Sequence, residues 1–145
     1  MYLVDTNVIS EARKGPRAHP GVRQFFQRAA EERDGLYLSV VTVGELRRGV
    51  ELIRHRGDLM QASLLERWLN ELLSAYADNV LPFDAEAAQV WGRLRVPSPV
   101  HELDKQIAAT ALIHGLTVVT RNVADFAGTT VDLFNPFDSS PLTQQ

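Results

Sequence analysis

Four acidic residues lie at positions where carboxylates can do chemistry. Asp5, Glu45 and Asp125 each come shortly after an apolar run, and Asp104 opens an alanine-rich segment. Carboxylates held close together repel one another unless they are protonated or bound to a cation. Oxygen-only ligands select a hard divalent ion. If the fold brings the four acids together, the sequence therefore predicts a site for Mg²⁺ or Mn²⁺.

The elements that would position these acids are short apolar runs alternating with longer stretches of helical periodicity. Strands are predicted at residues 2–4, 36–41, 80–82, 116–120 and 131–133. Helices are predicted at residues 6–12, from 20 through 29, 42–53, 59–76, 84–95 and 103–114. Because strands and helices alternate, the expected fold class is α/β, with a central, mostly parallel sheet of about five strands flanked by helices. One domain is expected at residues 1–137, followed by a polar, disordered tail at 138–145.

The order of these elements places the four acids on one side of the sheet. Asp5, Glu45 and Asp125 follow strands, so they belong at the carboxyl edge, where such folds bind their ligands. Asp104 lies at the start of a helix that precedes a strand. Since these helices run antiparallel to the strands, that helix begins at the same edge.

Each acid also has a purely structural interpretation. Asp5 could cap the helix that follows it. Thr42 and Glu45 have the spacing of a capping box, in which Thr42 would cap the predicted helix 42–53. Asp104 could complement a helix dipole, and Asp125 could be a turn residue. The apolar surroundings of Asp104 favour the site, because a carboxylate beside a core-facing stripe needs a partner.

Composition excludes several other classes of site and location. The chain has 145 residues, no cysteine and a formal net charge of −3, which excludes disulfides, thiolate zinc sites and cysteine nucleophiles. No apolar run reaches the roughly 20 residues of a membrane-spanning helix, and no signal peptide is recognised. A cytoplasmic protein that does not bind a membrane is therefore expected. His19, His101 and His114 lack metal-ligand spacing and are expected to take no part in the site.

The segments that carry the acids resemble the motifs of PIN-domain ribonucleases, in particular VapC-type toxins of the FitB-like branch. The four motifs are VDTNVIS at 4–10, SVVTVGEL at 39–46, DKQIAATA at 104–111 and VTRNVADF at 119–126. The closing LFNPF at 133–137 is also similar to that branch, so the resemblance covers about residues 2–137. One departure is Thr130, in a turn where many relatives carry glycine.

This resemblance implies a metal-dependent endoribonuclease that hydrolyses RNA phosphodiesters. Asp5 and Asp104 would bind a first Mg²⁺ or Mn²⁺ directly, and Glu45 and Asp125 would act through water or a second ion. Side chains expected to orient the acids or their waters are Thr6, Asn7, Thr120 and Asn122. Side chains that could contact RNA are Arg121, Arg47 and Arg48.

The resemblance also implies partners: a VapB-like antitoxin that obstructs the acidic site, an RNA substrate, and a second copy of the chain in a homodimer. Two alternatives remain open. One is a phosphate-transfer α/β domain, although the phosphatase motif requires a second aspartate where this chain has Asn7. The other is a non-catalytic protein- or RNA-binding module on a PIN-like fold.

Overall fold

Five short strands form one parallel sheet, as the alternating sequence pattern predicts. The computed structural model describes residues 1–138. The sheet order is β3-β2-β1-β4-β5, with every neighbouring pair parallel. The strands are β1 (Tyr2–Val4), β2 (Leu36–Ser39), β3 (Val80–Leu81), β4 (Thr117–Val119) and β5 (Leu133–Phe134). The central strands β1 and β4 are neighbours, so their carboxyl ends meet at the middle of one edge.

In the part of the chain that the structure describes, six α-helices connect the strands and cover both faces of the sheet. They are α1 (Thr6–Ala12), α2 (Pro20–Glu32), α3 (Val40–His55), α4 (Leu59–Ala75), α5 (Ala85–Leu94) and α6 (Glu102–His114). Two short 3₁₀ segments lie at Gly15–Arg17 and Val123–Phe126. Within residues 1–138 no helix has both the length and the apolar character needed to cross a bilayer.

The start of helix α3 differs from the prediction. The helix begins at Val40, and the Ser39 side chain is the N-cap, accepting a hydrogen bond from the Val41 amide at 3.0 Å. The predicted strand 36–41 is therefore two residues too long. Thr42 lies inside the helix, so the capping box of Thr42 and Glu45 is wrong. The β-branched pair Val40 and Val41 favoured a strand, but the serine hydroxyl at the strand end satisfies the helix terminus instead.

The last strand is also displaced from its predicted position. Residues 131–133 were expected to pair, whereas β5 is Leu133–Phe134. Val131 is buried and packs with Phe126 in a hydrophobic cluster rather than contributing to the strand. The predicted tail 138–145 lies outside the described residues except for Asp138.

Two hydrophobic clusters, one on each face, fix the sheet between its helices. Successive residues of a strand point to opposite faces, and accordingly Val4 and Val119 join one cluster while Leu3 and Val118 join the other. The first cluster includes Leu46 and Val50 of α3. The second includes the small side chains Ala108 and Ala111 of α6. Because α3 and α6 each bury side chains in one of these clusters, the positions of Glu45 and Asp104 relative to the sheet are fixed.

Helix α4 supplies part of the first cluster, as its apolar stripe predicts. Leu69 is fully buried, and Leu65, Trp68 and Leu72 pack against the cluster. Leu64, on the same helix, is 53% exposed. The stripe is therefore divided between the core and the surface.

Thr130 provides a test of backbone strain. Its φ is +61°, in the left-handed region that costs a side-chain-bearing residue about 1–2 kcal/mol. We expect Thr130→Gly to raise the free energy of unfolding by about 0.5–1 kcal/mol, because the relieved strain exceeds the added entropy of the unfolded glycine. Urea denaturation measures the change. Ala127→Gly is the matched control, since Ala127 has φ −57° and should only lose stability. A Thr130→Gly variant less stable than the parent would contradict the argument.

Candidate functional site

Asp5 stands at the end of β1 and is almost completely buried, with 3% exposure. One carboxylate oxygen, Oδ1, accepts the Thr6 amide at 2.8 Å and so caps helix α1. The other, Oδ2, accepts hydrogen bonds from the Thr120 hydroxyl at 2.8 Å and from the side-chain amide of Asn7 at 3.2 Å. Asp5 therefore does cap helix α1, and it also lies close to the other acids. Both oxygens are held in fixed directions before any ligand arrives.

Glu45 lies on the face of α3 that is turned towards the start of α1. The Thr6 hydroxyl donates to Glu45 Oε1 at 2.9 Å, and its oxygen is 3.3 Å from that of the buried Thr42. Glu45 therefore contacts the first residue of α1 instead of closing a capping box on its own helix. Thr6 links the first two acids, because its amide bonds Asp5 and its hydroxyl bonds Glu45.

Asp104 and Asp125 come from opposite ends of the helix–strand unit formed by α6 and β4. Asp104 is in the first turn of α6, where a negative charge also complements the helix dipole. Asp125 is in the 3₁₀ segment Val123–Phe126, held there by the fully buried ring of Phe126. Its side chain is 37% exposed, whereas that of Asp104 is 23% exposed.

The charges of the four acids act on one another. Burial raises the pKa of Asp5, and the charge of Asp125 raises it further. Burial and then the charge of Asp5 raise the pKa of Glu45. The pKa of Asp104 rises to about 6, first through burial and then through Asp5, Asp125 and Glu45. Thr6 bonds both Asp5 and Glu45. Ligand atoms of Asp104 and Asp125 lie within 4.8 Å of each other. Since Asp104 also feels the charges of the other three, the four acids lie near one another at one edge of the sheet.

Three of the four expected supporting side chains contact the acids as predicted. Thr6 and Thr120 donate hydroxyls to Glu45 and Asp5. The Asn7 side chain donates to Asp5, and its Oδ1 accepts the Arg121 amide at 3.0 Å. Asn122 acts differently, since it is its backbone amide that donates to the Thr120 hydroxyl at 3.0 Å. The Thr120 hydroxyl is thereby locked in the direction of Asp5.

The three arginines expected near RNA have different environments. Arg47 pairs with Glu51 on its own helix and with Glu66 of α4, and the second pair joins α3 to α4. Arg48 is exposed on α3. The Arg121 side chain is exposed, its guanidinium lies 4.7 Å above the ring of Phe137, and its backbone amide donates to Asn7, which in turn bonds Asp5. Of the three, Arg121 is therefore the best placed to meet a phosphate at the site.

His101 was expected to be a bystander, and the structure places it beside the acids. Its Nε2 is 3.7 Å from Asp125 Oδ1, and its Nδ1 is 4.0 Å from Asp104 Oδ2. The signal available in the sequence was its position three residues before Asp104, just ahead of a helix. That spacing alone does not reveal the approach to Asp125, which depends on the fold.

The donor set fits a hard divalent cation. It consists of carboxylate oxygens from four separate segments, and burial, followed by the negative charges of neighbouring acids, raises the pKa of Asp5, Glu45 and Asp104. A divalent ion relieves that repulsion and accepts oxygen ligands. His101, Asp104 and Asp125 also offer ligand atoms that all lie within 4.8 Å of one another.

The raised pKa of Asp104 predicts how stability depends on pH without metal. The folded protein holds this proton up to about pH 6, whereas the unfolded chain releases it near 3.8. Folding therefore binds a proton in this window, and stability falls as the pH rises through it. At neutral pH we expect Asp104→Asn to be more stable than the parent by about 1–2 kcal/mol, allowing for partial exposure.

Urea denaturation in chelator at several pH values measures this effect. Asp78→Asn is the control, because Asp78 is an exposed carboxylate in the segment between α4 and β3. A loss of stability at neutral pH in Asp104→Asn, with Asp78→Asn unchanged, would contradict the predicted repulsion.

Curated relatives of the chain include a bacterial toxin and a ribonuclease. Toxin FitB of Neisseria gonorrhoeae is 37% identical over 142 residues, covering 94% of this chain and 99% of the relative. VapC ribonuclease Y4jK of Sinorhizobium fredii is 35% identical over 145 residues, covering 95% of this chain and 99% of the relative. Both alignments span nearly the full length of each protein.

Solved structures show the same architecture. The crystal structure of FitAcB from Neisseria gonorrhoeae matches with a TM-score of 0.83 at 35% identity, covering 96% of this chain and 100% of the other. A toxin–antitoxin complex from Klebsiella pneumoniae matches with a TM-score of 0.68 at 25% identity, covering 96% and 100%. The family model of the PIN domain matches residues 2–129. With its parallel sheet and the acids at its carboxyl edge, this chain belongs to the PIN-domain family and is related to the toxins of VapBC toxin–antitoxin systems.

Proposed function

We propose that this protein is a metal-dependent endoribonuclease toxin that hydrolyses RNA phosphodiester bonds and is neutralised by a cognate antitoxin. The observation that carries the proposal is the convergence of Asp5, Glu45, Asp104 and Asp125, with the pKa of Asp104 raised to about 6 by burial and by the other three. Perturbed carboxylates of this kind are typical of functional sites. The relationship to a VapC ribonuclease supports RNA as the substrate.

In this proposal the acids divide the work of holding Mg²⁺ or Mn²⁺. Asp5 and Asp104 bind the ion directly, and Glu45 and Asp125 act through water or a second ion. When bound, a divalent ion supplies a more acidic water and stabilises negative charge on the phosphoryl oxygens. The positive charge also allows an RNA phosphate to approach four carboxylates that would otherwise repel it.

The surrounding side chains fix the acids in place. Thr120 and Asn7 hold Asp5 Oδ2, while Thr6 holds Glu45 Oε1. Hydrogen-bond partners of metal ligands orient them and tune their affinity. Arg121, exposed beside the site, contributes a positive charge toward the RNA backbone. Arg48 remains a proposed RNA contact, whereas Arg47 would have to leave Glu51 and Glu66 to take that role.

A VapB-like antitoxin, a homodimer and a cytoplasmic location are part of the same proposal. The match to a toxin–antitoxin complex and the relationship to Toxin FitB support an antitoxin partner. In keeping with the sequence resemblance, the antitoxin would lay a helix or an extended tail across the acidic edge. Its presence would then block access of RNA to Asp5 and Asp104.

A phosphate-transfer domain accounts less well for the site. A phosphatase of that class needs a second aspartate where this chain has Asn7. Here the Asn7 side chain bonds Asp5 and the Arg121 backbone amide, and it therefore positions Asp5. A non-catalytic binding module on the same fold is separated from a nuclease by measuring turnover.

Cleavage assays test the catalytic proposal. Purified protein should cut structured RNA with Mg²⁺ or Mn²⁺ and lose that activity in chelator, because the phosphate needs the ion. Asp5→Asn and Asp104→Asn should each lower the rate about 100-fold or more, and neither should arrest growth when expressed without antitoxin. Asp78→Asn is the control and should cleave normally. Full cleavage in excess chelator would refute metal dependence, and no cleavage under any condition would favour the binding module.

A second pair of variants separates the role of Glu45 in the site from the N-cap of helix α3 at Ser39. Glu45→Gln removes a charge from the site without disturbing the N-cap, so we expect a stable protein with activity lowered about 10- to 100-fold. Ser39→Ala removes the cap and should cost about 1 kcal/mol of stability with little change in activity per folded molecule. Denaturation and RNA cleavage at limiting metal measure the two effects. A fully active Glu45→Gln would leave three working carboxylates.

A further inference from the structure

His101 lies at the mouth of the acidic site and contributes the imidazole nearest to it. It precedes the first residue of α6 and occupies the N-cap position, but its side chain makes no capping hydrogen bond. The side chain is 45% exposed. Capping therefore does not account for where the ring points, which is toward Asp104 and Asp125.

The separations within this cluster suit ligands that share an ion. Nε2 to Asp125 Oδ1 is 3.7 Å and Nδ1 to Asp104 Oδ2 is 4.0 Å, both too long for hydrogen bonds. One ligand atom from each of the three residues lies within 4.8 Å of the others. Ligands about 2.0–2.2 Å from a common metal are themselves about 3–4 Å apart. Small side-chain rotations therefore close the three groups around one ion.

The surroundings of His101 fit a metal ligand better than they fit an ordinary surface histidine. The ring approaches carboxylates from two different segments, α6 and the 3₁₀ segment Val123–Phe126. It has room to rotate because nearly half of it is exposed, whereas the buried Asp5 is fixed by its hydrogen bonds. A neutral imidazole adds a ligand without adding negative charge to an already crowded site.

We propose that His101 is a nitrogen ligand of a divalent ion held jointly with Asp104 and Asp125. The inference deepens the proposed function and depends on it, because it concerns the ion bound at the same edge. A nitrogen ligand at this position would change which divalent ion the site prefers. Imidazole is a ligand of transition ions, among which Mn²⁺ binds it most weakly, and Mg²⁺ binds it more weakly still. The mixed set therefore favours Mn²⁺ over Mg²⁺, which an all-carboxylate site does less strongly.

The experiment uses the full chain, without an affinity tag, loaded with Mn²⁺. Pulsed electron paramagnetic resonance detects nitrogen nuclei bonded to the ion, and the four histidines of the chain are the candidate imidazole donors. We expect ¹⁴N coupling in the wild type and its loss in His101→Gln. His114→Gln, with an exposed histidine at the other end of the same helix, is the matched control and should keep the signal. Calorimetry should show Mn²⁺ affinity falling about 10-fold in His101→Gln, with Mg²⁺ affinity nearly unchanged.

The possible outcomes separate this inference from the proposed function. Mn²⁺ bound without ¹⁴N coupling, or with coupling that survives in His101→Gln, overturns the role of His101 and leaves the metal site intact. Equal losses of Mn²⁺ and Mg²⁺ affinity in His101→Gln also overturn it, since a nitrogen ligand predicts a difference between the ions. Absence of Mn²⁺ binding in the wild type overturns the metal site and this inference together.

Discussion

Repulsion among four carboxylates at one edge of the sheet is the constraint to which the surrounding structure responds. Asp5 is buried, and the pKa values of Glu45 and Asp104 are raised first by their own burial and then by the negative charge of Asp5. Hydrogen bonds from Thr120, Asn7 and the Thr6 amide offset part of the cost of burying it. They do not remove the repulsion between acids, which is left for a cation.

The two hydrophobic clusters make that arrangement possible. They hold α3 and α6 on opposite faces of the sheet, so that Glu45 and Asp104 approach the ends of β1 and β4 from two sides. Interiors packed in this way deform little. The backbone that carries the acids therefore stays in place, and the raised pKa values of Asp5, Glu45 and Asp104 reflect their burial and then the charges of their neighbours.

The general form of the site could be predicted because it follows from topology. Parallel strands end at one edge, so the order of Asp5, Glu45, Asp104 and Asp125 along the chain was enough to bring them together. The position of His101 could not be predicted, because it depends on the distance between α6 and a 3₁₀ segment that is remote in sequence. The start of α3 was missed for a local reason: Ser39 and Thr42 are both good capping residues, and only the burial of Thr42 inside the helix distinguishes them.

The double use of Asp5 has a consequence for how this chain can change. One of its oxygens caps helix α1, and the other accepts hydrogen bonds from Thr120 and Asn7 at the proposed metal site. Asparagine caps helices about as well as aspartate, so a single replacement at this position keeps the helix cap and discards the charge. An inert molecule with the same outer surface is therefore one substitution away. Selection that acts on folding alone does not detect that loss, and only selection for activity preserves the acid.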